Sequence, residues 1–567
     1  MRRRKLSVFL AGVMTLSMLL TACGKSSPTS GDNKVTEITK DITTVIAAEK
    51  PDAVPDTAKN RKDTLVVGVD TPDGVFSPIY SESSTDQYIT ESIFDGLLDV
   101  DKEGNPIKGI AESWETKEDG KVYIFKMKKD VKFSNGTPVT AKDVEFTYAV
   151  IADKSYTGPW DVPSMKLKGY EEFNTGKAAT FEGVKALDDN TVQFTLTEKN
   201  ATCMYNFGIG IISKDYYGKA YKPGETKSIE AFHQKPMGCG PYKLTVYKEG
   251  QEVDLVKNDS YWKGTPKINN LIYRATTDDT KIPMLASGEI DMDMVNVNQE
   301  NIDQLKQAGF LGIQMFPTNG YGYIGMNISN PMFSDVKVRQ ALTYGLNRAD
   351  IVKAVYGEYA NVQNEPCSMV HWTYNNDVEK YDYNPAKAKE MLDAAGWKVG
   401  ADGIREKDGK KFEIHFTASN PNVVNDSIIP VAIKCYEEIG IKFTAELMDF
   451  NAVRAKIKKG DWEMYFMAWG LTADPDCSSI FKTKGSQNET NYSNAKVDEL
   501  CNKGIVTLEK NERKKVYQDL WKEINKDLPY IFMYQRRDMW VISSRVKNIN
   551  VYPNRHFSLD LWQAEIK

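Results

Sequence analysis

The amino-acid sequence predicts an α/β fold in which helices cover β-sheets. Two observations support this class. Segments whose apolar residues recur at helical spacing are interleaved along the whole chain with segments that alternate or run apolar like strands. About 500 of the 567 residues remain after the N-terminal segments are set aside, enough for two or three sizeable cores.

Several segments show these patterns clearly. Thr64–Val69 is apolar and β-branched and leads into a turn, which predicts a buried strand. Residues 121–127 alternate and predict a half-buried strand, whereas Thr140 precedes helical spacing and predicts a capped helix. The same patterns predict helices within residues 337–355 and 384–395 and a strand at residues 412–416.

The N-terminus predicts an export signal. Residues 2–5 are basic, and the uncharged, mostly apolar residues 6–20 are fewer than the roughly 20 of a membrane-spanning helix. The string Leu20-Thr21-Ala22-Cys23-Gly24 resembles the lipobox of bacterial lipoproteins, in which the cysteine receives a diacylglycerol. We therefore predict a signal peptide over residues 1–22 and lipidation of Cys23. A transmembrane anchor with an incidental cysteine is the alternative.

A polar spacer follows the signal peptide. Residues 23–62 are rich in Ser, Thr, Lys, Asp and Pro, which predicts a flexible tether. A flexible chain of this length reaches roughly 35 Å, enough to lift a folded body clear of lipid headgroups. A helix over residues 35–49 is the alternative for part of this segment.

The composition argues against nucleic-acid binding and against catalysis. The net charge is −5, with 73 basic and 78 acidic residues interspersed without long blocks. The four histidines are far apart, and the motifs of zinc proteases, serine hydrolases and phosphate-binding loops are missing. We therefore expect a protein that is not an enzyme and has no catalytic residues, metal or cofactor.

The cysteines beyond Cys23 are dispersed and have no C-x-x-C spacing. Sequence alone cannot choose among their possible pairings, so buried thiols and one or two bridges both stay open. These six cysteines are Cys203, Cys239, Cys367, Cys435, Cys477 and Cys501.

One string matches the dinucleotide-binding fingerprint G-x-G-x-x-G, at residues 320–325. That fingerprint requires a helix that begins at its last glycine. Here the chain continues as an alternating stretch up to Pro331, which predicts a strand instead. Its glycines would let another backbone or a ligand approach closely.

Four separated groups of strings resemble family 5 of the bacterial extracellular solute-binding proteins, the oligopeptide, dipeptide and nickel receptors. The first group contains Ala-Glu-Ser-Trp-Glu and a later Asn-Gly-Thr-Pro, and the second contains Gly-Cys-Gly-Pro-Tyr. The matching strings lie at residues 111–115, 119–120, 131–144, 238–244, 258–262, 338–342 and 383–397. Most of these residues belong to turns, caps and cores rather than to a binding site.

The resemblance implies a two-lobed, periplasmic-binding-protein-like (type II) fold with a hinge of two segments and an extra subdomain in the first lobe. The implied parts are lobe I at residues 63–95, 230–320 and 530–567, the extra subdomain at residues 96–229, and lobe II at residues 321–529.

The resemblance also implies a function. The chain would be the lipid-anchored substrate-binding protein of an ABC importer on the extracytoplasmic face of the cell membrane. It would act as a monomer, capture peptides in a closing cleft and deliver them to the permease and ATPase subunits. Receptors for nickel chelates or oligosaccharides are the alternative.

Family analogy suggests which residues contact the ligand. The segment at residues 94–98, with Gly96 and Leu97, and the loop that starts at Trp469 and Gly470 would offer main-chain groups to an extended peptide. Tyr321 and Tyr323 are further candidates, for which packing in the core is an equal alternative.

The expected charge of the ligand rests on a departure from the family pattern. Peptide receptors of this family commonly carry an aspartate three residues after the tryptophan, where it pairs with the peptide's ammonium group; this chain has Thr472 there. Threonine cannot neutralise a buried charge. Either Asp474 or Asp476 takes over the role, or residues 474–475 form only a turn and the ligand has no buried amine at this point.

Overall fold

The computed structural model describes residues 43–567. The predicted signal peptide, Cys23 and the first part of the predicted tether lie outside these residues.

The first half of the described chain contains thirteen strands and nine helices up to residue 317. They are β1 (Thr44–Ile46), α1 (Asp56–Lys59), β2 (Thr64–Val69), α2 (Ser84–Ile93), β3 (Leu98–Val100), β4 (Pro106–Lys108), β5 (Ala111–Lys117), β6 (Val122–Met127), α3 (Ala141–Ile151), α4 (Tyr170–Asn174), β7 (Val184–Asp188), β8 (Thr191–Thr195), α5 (Cys203–Asn206), α6 (Lys214–Tyr217), α7 (Lys227–Glu230), β9 (Tyr242–Lys248), β10 (Glu252–Lys257), β11 (Asn270–Ala275), α8 (Asp278–Ser287), β12 (Met292–Val295), α9 (Gln299–Gln307) and β13 (Leu311–Pro317).

The second half has the same mixed character. It contains β14 (Gly320–Met326), α10 (Pro331–Ser334), α11 (Val336–Tyr344), α12 (Arg348–Tyr356), β15 (Ala360–Val362), α13 (Pro385–Ala394), β16 (Lys398–Val399), β17 (Arg405–Lys407), β18 (Lys410–Lys411), β19 (Glu413–Ser419), α14 (Val423–Glu438), β20 (Lys442–Met448), α15 (Phe450–Lys459), β21 (Met464–Gly470), α16 (Ser478–Phe481), α17 (Ala495–Val506), α18 (Lys510–Asp527), β22 (Tyr530–Ser543), β23 (Val546–Lys547) and β24 (Glu565–Ile566).

One long strand, β22, is shared by both halves of the molecule. Its first residues pair with β14 and β15, and its last residues pair with β12 and β13. The main sheet therefore runs through both halves in the order β20, β19, β21, β14, β22, β12, β2, β11, β10, β9. Because β13 and β14 are joined by residues 318–319, the chain crosses between the halves twice at the same place.

The two crossings are bonded to each other through Thr318. Its amide donates to Arg536 O at 2.9 Å, and its hydroxyl donates to Asp538 Oδ1 at 2.8 Å. The side-chain amide of Gln535 donates to Thr318 O at 2.6 Å. Short, cross-linked crossings of this kind are the places where a two-lobed protein bends.

The buried apolar residues form a separate core in each half. One large cluster joins residues of the first half to the C-terminal residues from Trp540 onward, and another extends from Tyr321 to Tyr534. A smaller cluster from Val54 to Val541 lies against the first half. Separate cores allow each half to move as one body.

A second sheet of four strands, in the order β5, β6, β8, β7, lies within the predicted extra subdomain. Its buried residues belong to the same cluster as those of β2 and β9 to β11. The subdomain therefore extends the first lobe's core and has no core of its own.

The local predictions agree with the elements found. β2 and β6 occupy the predicted strands, and α3 begins behind Thr140, whose amide donates to Asp143 Oδ2 at 2.8 Å in a capping box. The predicted helical stretch at 337–355 consists of two helices, α11 and α12, separated by residues 345–347.

The string that matches the dinucleotide fingerprint is the strand β14, as its alternation predicts. Its glycines lie against aromatic rings: a Cβ on Gly322 would come within 2.5 Å of the Tyr534 ring, and one on Gly325 within 2.8 Å of the Tyr465 ring. Aromatic side chains, not a nucleotide, occupy the space that these glycines leave.

The predicted boundary of the tether at residue 62 is wrong. Residues 44–46 form β1, which pairs antiparallel with β13, so this part is neither flexible spacer nor helix. Ala58 is fully buried, and Arg61 donates to Asp291 Oδ1 at 3.0 Å. The polar composition hid a segment that is held by backbone pairing, by the ion pair of Arg61 and by a few buried apolar side chains such as Val54 and Ala58.

We therefore expect the folded body to require residues 44–62. A chain that begins at residue 63 should lose at least about 3 kcal/mol of unfolding free energy relative to one that begins at residue 43, because Asp291 and Arg545 lose buried partners. Chemical denaturation of the two chains measures this difference. Equal stabilities would show that the segment is only a spacer.

Candidate ligand-binding cleft

A cavity of about 400 Å³ lies on the first half, where α2 and the segment after it meet loops of the extra subdomain. This volume is within the roughly 300–1,000 Å³ that small-molecule sites occupy. Among the residues that line it are Gln87, Glu91, Asp95, Gly96, Asp99, Trp160 and Tyr205.

The second half reaches this region through the loop at residues 471–476 and the helices α17 and α18. A Cβ on Gly104 would come within 2.9 Å of Ala473 Cβ, and Lys510 donates to Asn105 Oδ1. The amide of Ala201 donates to Ile505 O at 2.7 Å. The two halves therefore touch beside the cavity, as in a closed cleft.

The cavity wall carries carboxylates, which are supported by cations behind them. Glu91 Oε1 lies 2.9 Å from Nδ1 of His556, and Asp99 Oδ1 lies 2.7 Å from Nη1 of Arg555. Burial would raise the pKa of Asp99, but Lys263 and Arg555 outweigh this effect and hold its pKa below the usual value.

Asp95 is the least compensated of these carboxylates. Its Oδ2 accepts a hydrogen bond from Trp262 Nε1 at 2.7 Å, while the nearest ammonium, that of Lys263, is 4.0 Å from Oδ1. Burial consequently raises its pKa. Glu91 and Asp99 are paired with His556, Arg555 and Lys263, so Asp95 is the carboxylate of this wall that is best able to attract a positively charged group.

The segment at residues 94–98 was predicted to offer main-chain groups to a peptide, and it meets this prediction only in part. Gly96 lines the cavity, but its carbonyl accepts from Ile110 N at 3.0 Å and that of Asp95 accepts from Ile211 N at 3.0 Å. Leu97 is fully buried, and its carbonyl accepts from Gly109 N and Ala111 N. These carbonyl groups hold the segment in its own lobe and are not open to a peptide.

Tyr321 and Tyr323 belong to the core of the second half, so the core alternative describes them correctly. They are 3% and 2% exposed. The Tyr323 ring stacks on that of Tyr530 with centroids 4.0 Å apart and lies parallel to the Trp469 ring at 6.1 Å. The Tyr323 ring therefore supports the Trp469 ring from behind, and Tyr321 packs against Tyr323 and Phe532.

Trp469 and Gly470 end the strand β21, and the loop begins there. Trp469 is half-buried, whereas Gly470 is exposed and has open space where a Cβ would be. Thr472 is exposed, and its hydroxyl donates to Asp474 O at 2.9 Å. These three residues present an accessible surface to a ligand bound between the lobes.

Asp474 is already paired within the protein. Its two carboxylate oxygens lie 2.6 and 2.9 Å from Nη1 and Nη2 of Arg513, and both side chains are at most 9% exposed. Burial alone would lower the pKa of Arg513, but Asp474 outweighs it and raises that pKa. A carboxylate held in this way has no charge left for a ligand ammonium, so the geometry argues against Asp474 as the anchor.

Asp476 also has a structural partner. Its Oδ1 accepts hydrogen bonds from the amide and the hydroxyl of Ser478, at 3.1 and 2.6 Å, at the start of α16. Its own amide donates to Asp474 Oδ1 at 2.9 Å. Asp474 and Asp476 thus hold the loop in its conformation through bonds within the protein, which agrees with the alternative that this segment is a turn.

The sequence analysis did not predict the acidic residues of the cavity wall or the aromatic residues beside them. Gln87 and Glu91 stand one helical turn apart on α2, a spacing that could have indicated a polar face at the cleft. Trp160 comes from a loop and Tyr205 from α5, both within the predicted extra subdomain and far from α2 in sequence, and no local pattern brings them together.

Residues 43–567 contain neither a cluster of metal ligands nor a helix that could span a membrane. No three His, Cys, Asp or Glu side chains in this range converge in a way that could hold a metal ion. None of its helices combines the length and the apolar character that a bilayer-spanning segment requires.

The chain belongs to the bacterial extracellular solute-binding proteins of family 5. The model of that family's middle region matches residues 105–491, which is more than half of the chain.

Individual relatives agree with this assignment. The oligopeptide-binding protein AppA of Bacillus subtilis is 29% identical, and the alignment covers 99% of each chain. The solved structure of that protein in complex with a nonapeptide superposes with a TM-score of 0.73 over 89% of this chain and 99% of that one. NikZ of Campylobacter jejuni in complex with Ni(L-His) is 25% identical, with a TM-score of 0.71 over 89% and 99% of the two chains. The fold is therefore the two-lobed type II binding-protein fold.

The pairing of Asp474 with Arg513 gives a direct test of its role. Asp474→Asn should lower the unfolding free energy of the ligand-free protein by about 3 kcal/mol, because it leaves a buried guanidinium without a counter-charge. Thermal or chemical unfolding measures this, with the exposed Thr472→Ala as the control that should change little. If Asp474→Asn were as stable as the wild type, the pairing with Arg513 would be weak and Asp474 would be free to bind a ligand ammonium.

The pairing of Glu91 with His556 predicts a pH dependence. Burial opposes protonation of His556, but Glu91 outweighs it, so the pKa of His556 is raised above its ordinary value of 6.5. The pair then contributes stability that is present below about pH 6.5 and is lost as the pH rises through the raised pKa. Histidine resonances followed by NMR should show a lower pKa for His556 in Glu91→Gln. The same pKa in both proteins would contradict the pairing.

Proposed function

We propose that this chain is the substrate-binding protein of an ABC importer, and that it captures peptides between its lobes and delivers them to the membrane permease. The observation that carries the proposal is the cavity beside which the two halves touch, together with full-length similarity to an oligopeptide-binding protein. Closure over a ligand would present the permease with a surface that the open protein lacks.

The protein has no catalytic role in this proposal. Its task is to enclose a solute, and transport energy comes from the ATPase subunits of the importer.

The chemistry of the walls supports a ligand that carries a positive charge. Thr472 stands at the position of the family's ammonium anchor, and Asp474, two residues on, is held by Arg513. In the first lobe, Asp95 lines the cavity and has the weakest cationic partner, Lys263 at 4.0 Å. A peptide amine or a basic side chain would therefore be bound against α2.

Calorimetry with matched peptides tests the proposal. Peptides with a free amine or a lysine should bind more tightly than acetylated or acidic ones, and Asp95→Asn should weaken the cationic peptides about tenfold, or 1.4 kcal/mol, because it removes the least compensated carboxylate of the wall. Thr472→Ala is the control that should keep this preference.

Other results would overturn parts of the proposal. Equal affinity for charged and acetylated peptides would remove the carboxylate wall as the determinant. No peptide binding, with binding of a nickel–histidine chelate or an oligosaccharide, would move the protein to another ligand class. Mass spectrometry of ligands that co-purify with the protein gives an independent identification.

The proposal includes attachment to the outer face of the cell membrane through lipid on Cys23. Two acyl chains together bury enough methylene groups, at about 0.8 kcal/mol each, to hold a protein on a bilayer. Mass spectrometry of detergent-extracted protein should give a lipidated N-terminus at Cys23, and Cys23→Ala should release the protein from membranes. A mature chain that retains residues 6–20 would contradict lipidation.

A further inference from the structure

The predicted extra subdomain is bonded directly to the second lobe, in addition to the connection through the hinge. The amide of Ala201, in this subdomain, donates to Ile505 O in the last turn of α17 at 2.7 Å. Lys510, the first residue of α18, donates to Oδ1 of Asn105 in the turn between β3 and β4. The connection between α17 and α18 therefore lies against the first lobe at two places.

An apolar contact lies beside these bonds. A Cβ on Gly120, in the turn between β5 and β6, would clash with Cδ1 of Leu508, so the Leu508 side chain lies directly on the backbone of this turn. Leu508 is 41% exposed and belongs to neither large core. Its packing partner is therefore in the other lobe.

The turn that receives Leu508 has an unusual backbone. Its residues 118–120 all lie in the left-handed region, with φ of 48°, 55° and 87°, although only the last of them is a glycine. Non-glycine residues are strained there, and such strain is concentrated at positions that have a function. Asp119 Oδ2 lies 2.5 Å from Nζ of Lys199, so the turn is also tied to the segment that contains Ala201.

We propose that this contact is the latch of the closed cleft, with residues 118–120 and Ala201 on the first lobe and residues 505–508 on the second. The inference rests on the proposed capture of a solute between the lobes. Contacts that form only when the lobes are together stabilise the closed state relative to the open one. An enclosed solute leaves after the latch opens, so the latch acts mainly on the dissociation rate.

Hydrogen exchange tests the latch on the ligand-free protein. Leu508→Asp removes the apolar contact and places a carboxylate beside the two acidic residues of the turn, so the latch should open more often. The Ala201 amide should then exchange about tenfold faster, because its acceptor is in the other lobe. The amide of Gly240, whose acceptor Ile93 O is in the same lobe, should keep its rate. Mass spectrometry of the fragments that contain these amides measures both rates.

Leu187→Asp is the matched control, because Leu187 is an exposed leucine on β7 of the same subdomain. It should leave the exchange of the Ala201 amide unchanged. Both variants should unfold at temperatures close to that of the wild type, since neither leucine belongs to a core. Equal exchange of the Ala201 amide in the wild type and in Leu508→Asp would overturn the latch.

Dissociation kinetics test the part of the latch in capture. A labelled peptide that binds by calorimetry should leave Leu508→Asp about tenfold faster than the wild type or Leu187→Asp in stopped-flow measurements, with a similar association rate. The same dissociation rate from all three proteins would overturn the latch and leave peptide capture intact. A wild type that binds no peptide, with faster exchange of the Ala201 amide in Leu508→Asp, would overturn the peptide as the ligand and support the latch.

Discussion

The strand β22 is the constraint on which the rest of the structure depends, because both lobes are built onto it. Its two ends belong to different cores, and between them Thr318 bonds to Arg536, Asp538 and Gln535. Two chain crossings tied at one point leave the lobes free to rotate about that point but not to slide apart. The cleft exists because the lobes are joined at one edge only.

The chemistry of the cleft follows from this arrangement. The first lobe contributes a wall in which Glu91, Asp95 and Asp99 lie in front of His556, Lys263 and Arg555. The second lobe contributes a loop whose shape is set by the Asp474–Arg513 pair and whose tryptophan lies parallel to the ring of Tyr323. Both walls therefore pair most of their charges within the protein: the first lobe keeps Asp95 as its least compensated carboxylate, and the second lobe supplies a supported aromatic surface.

The sequence predicted the elements better than the site. β2, β6, α3 and β14 follow from periodicity and capping, which act over a few residues, and the family resemblance supplied the lobes. The part of the wall formed by Trp160 and Tyr205 could not be predicted, because only long-range packing brings these two residues to α2. The early end of the tether was missed because the short segment that pairs with β13 lies within a polar stretch of sequence. For Tyr321 and Tyr323 the sequence left the core and the ligand site as equal alternatives, because alternation does not distinguish a core face from a ligand face.

The central claim is that two bodies close about the hinge at Thr318 and β22 when a ligand enters. Small-angle X-ray scattering of the lipid-free mature protein, with and without a ligand whose binding calorimetry has established, tests it most directly. The account predicts a smaller radius of gyration in the complex, because the lobes come together over the cavity. The same radius of gyration in both states, at saturating ligand, would contradict it.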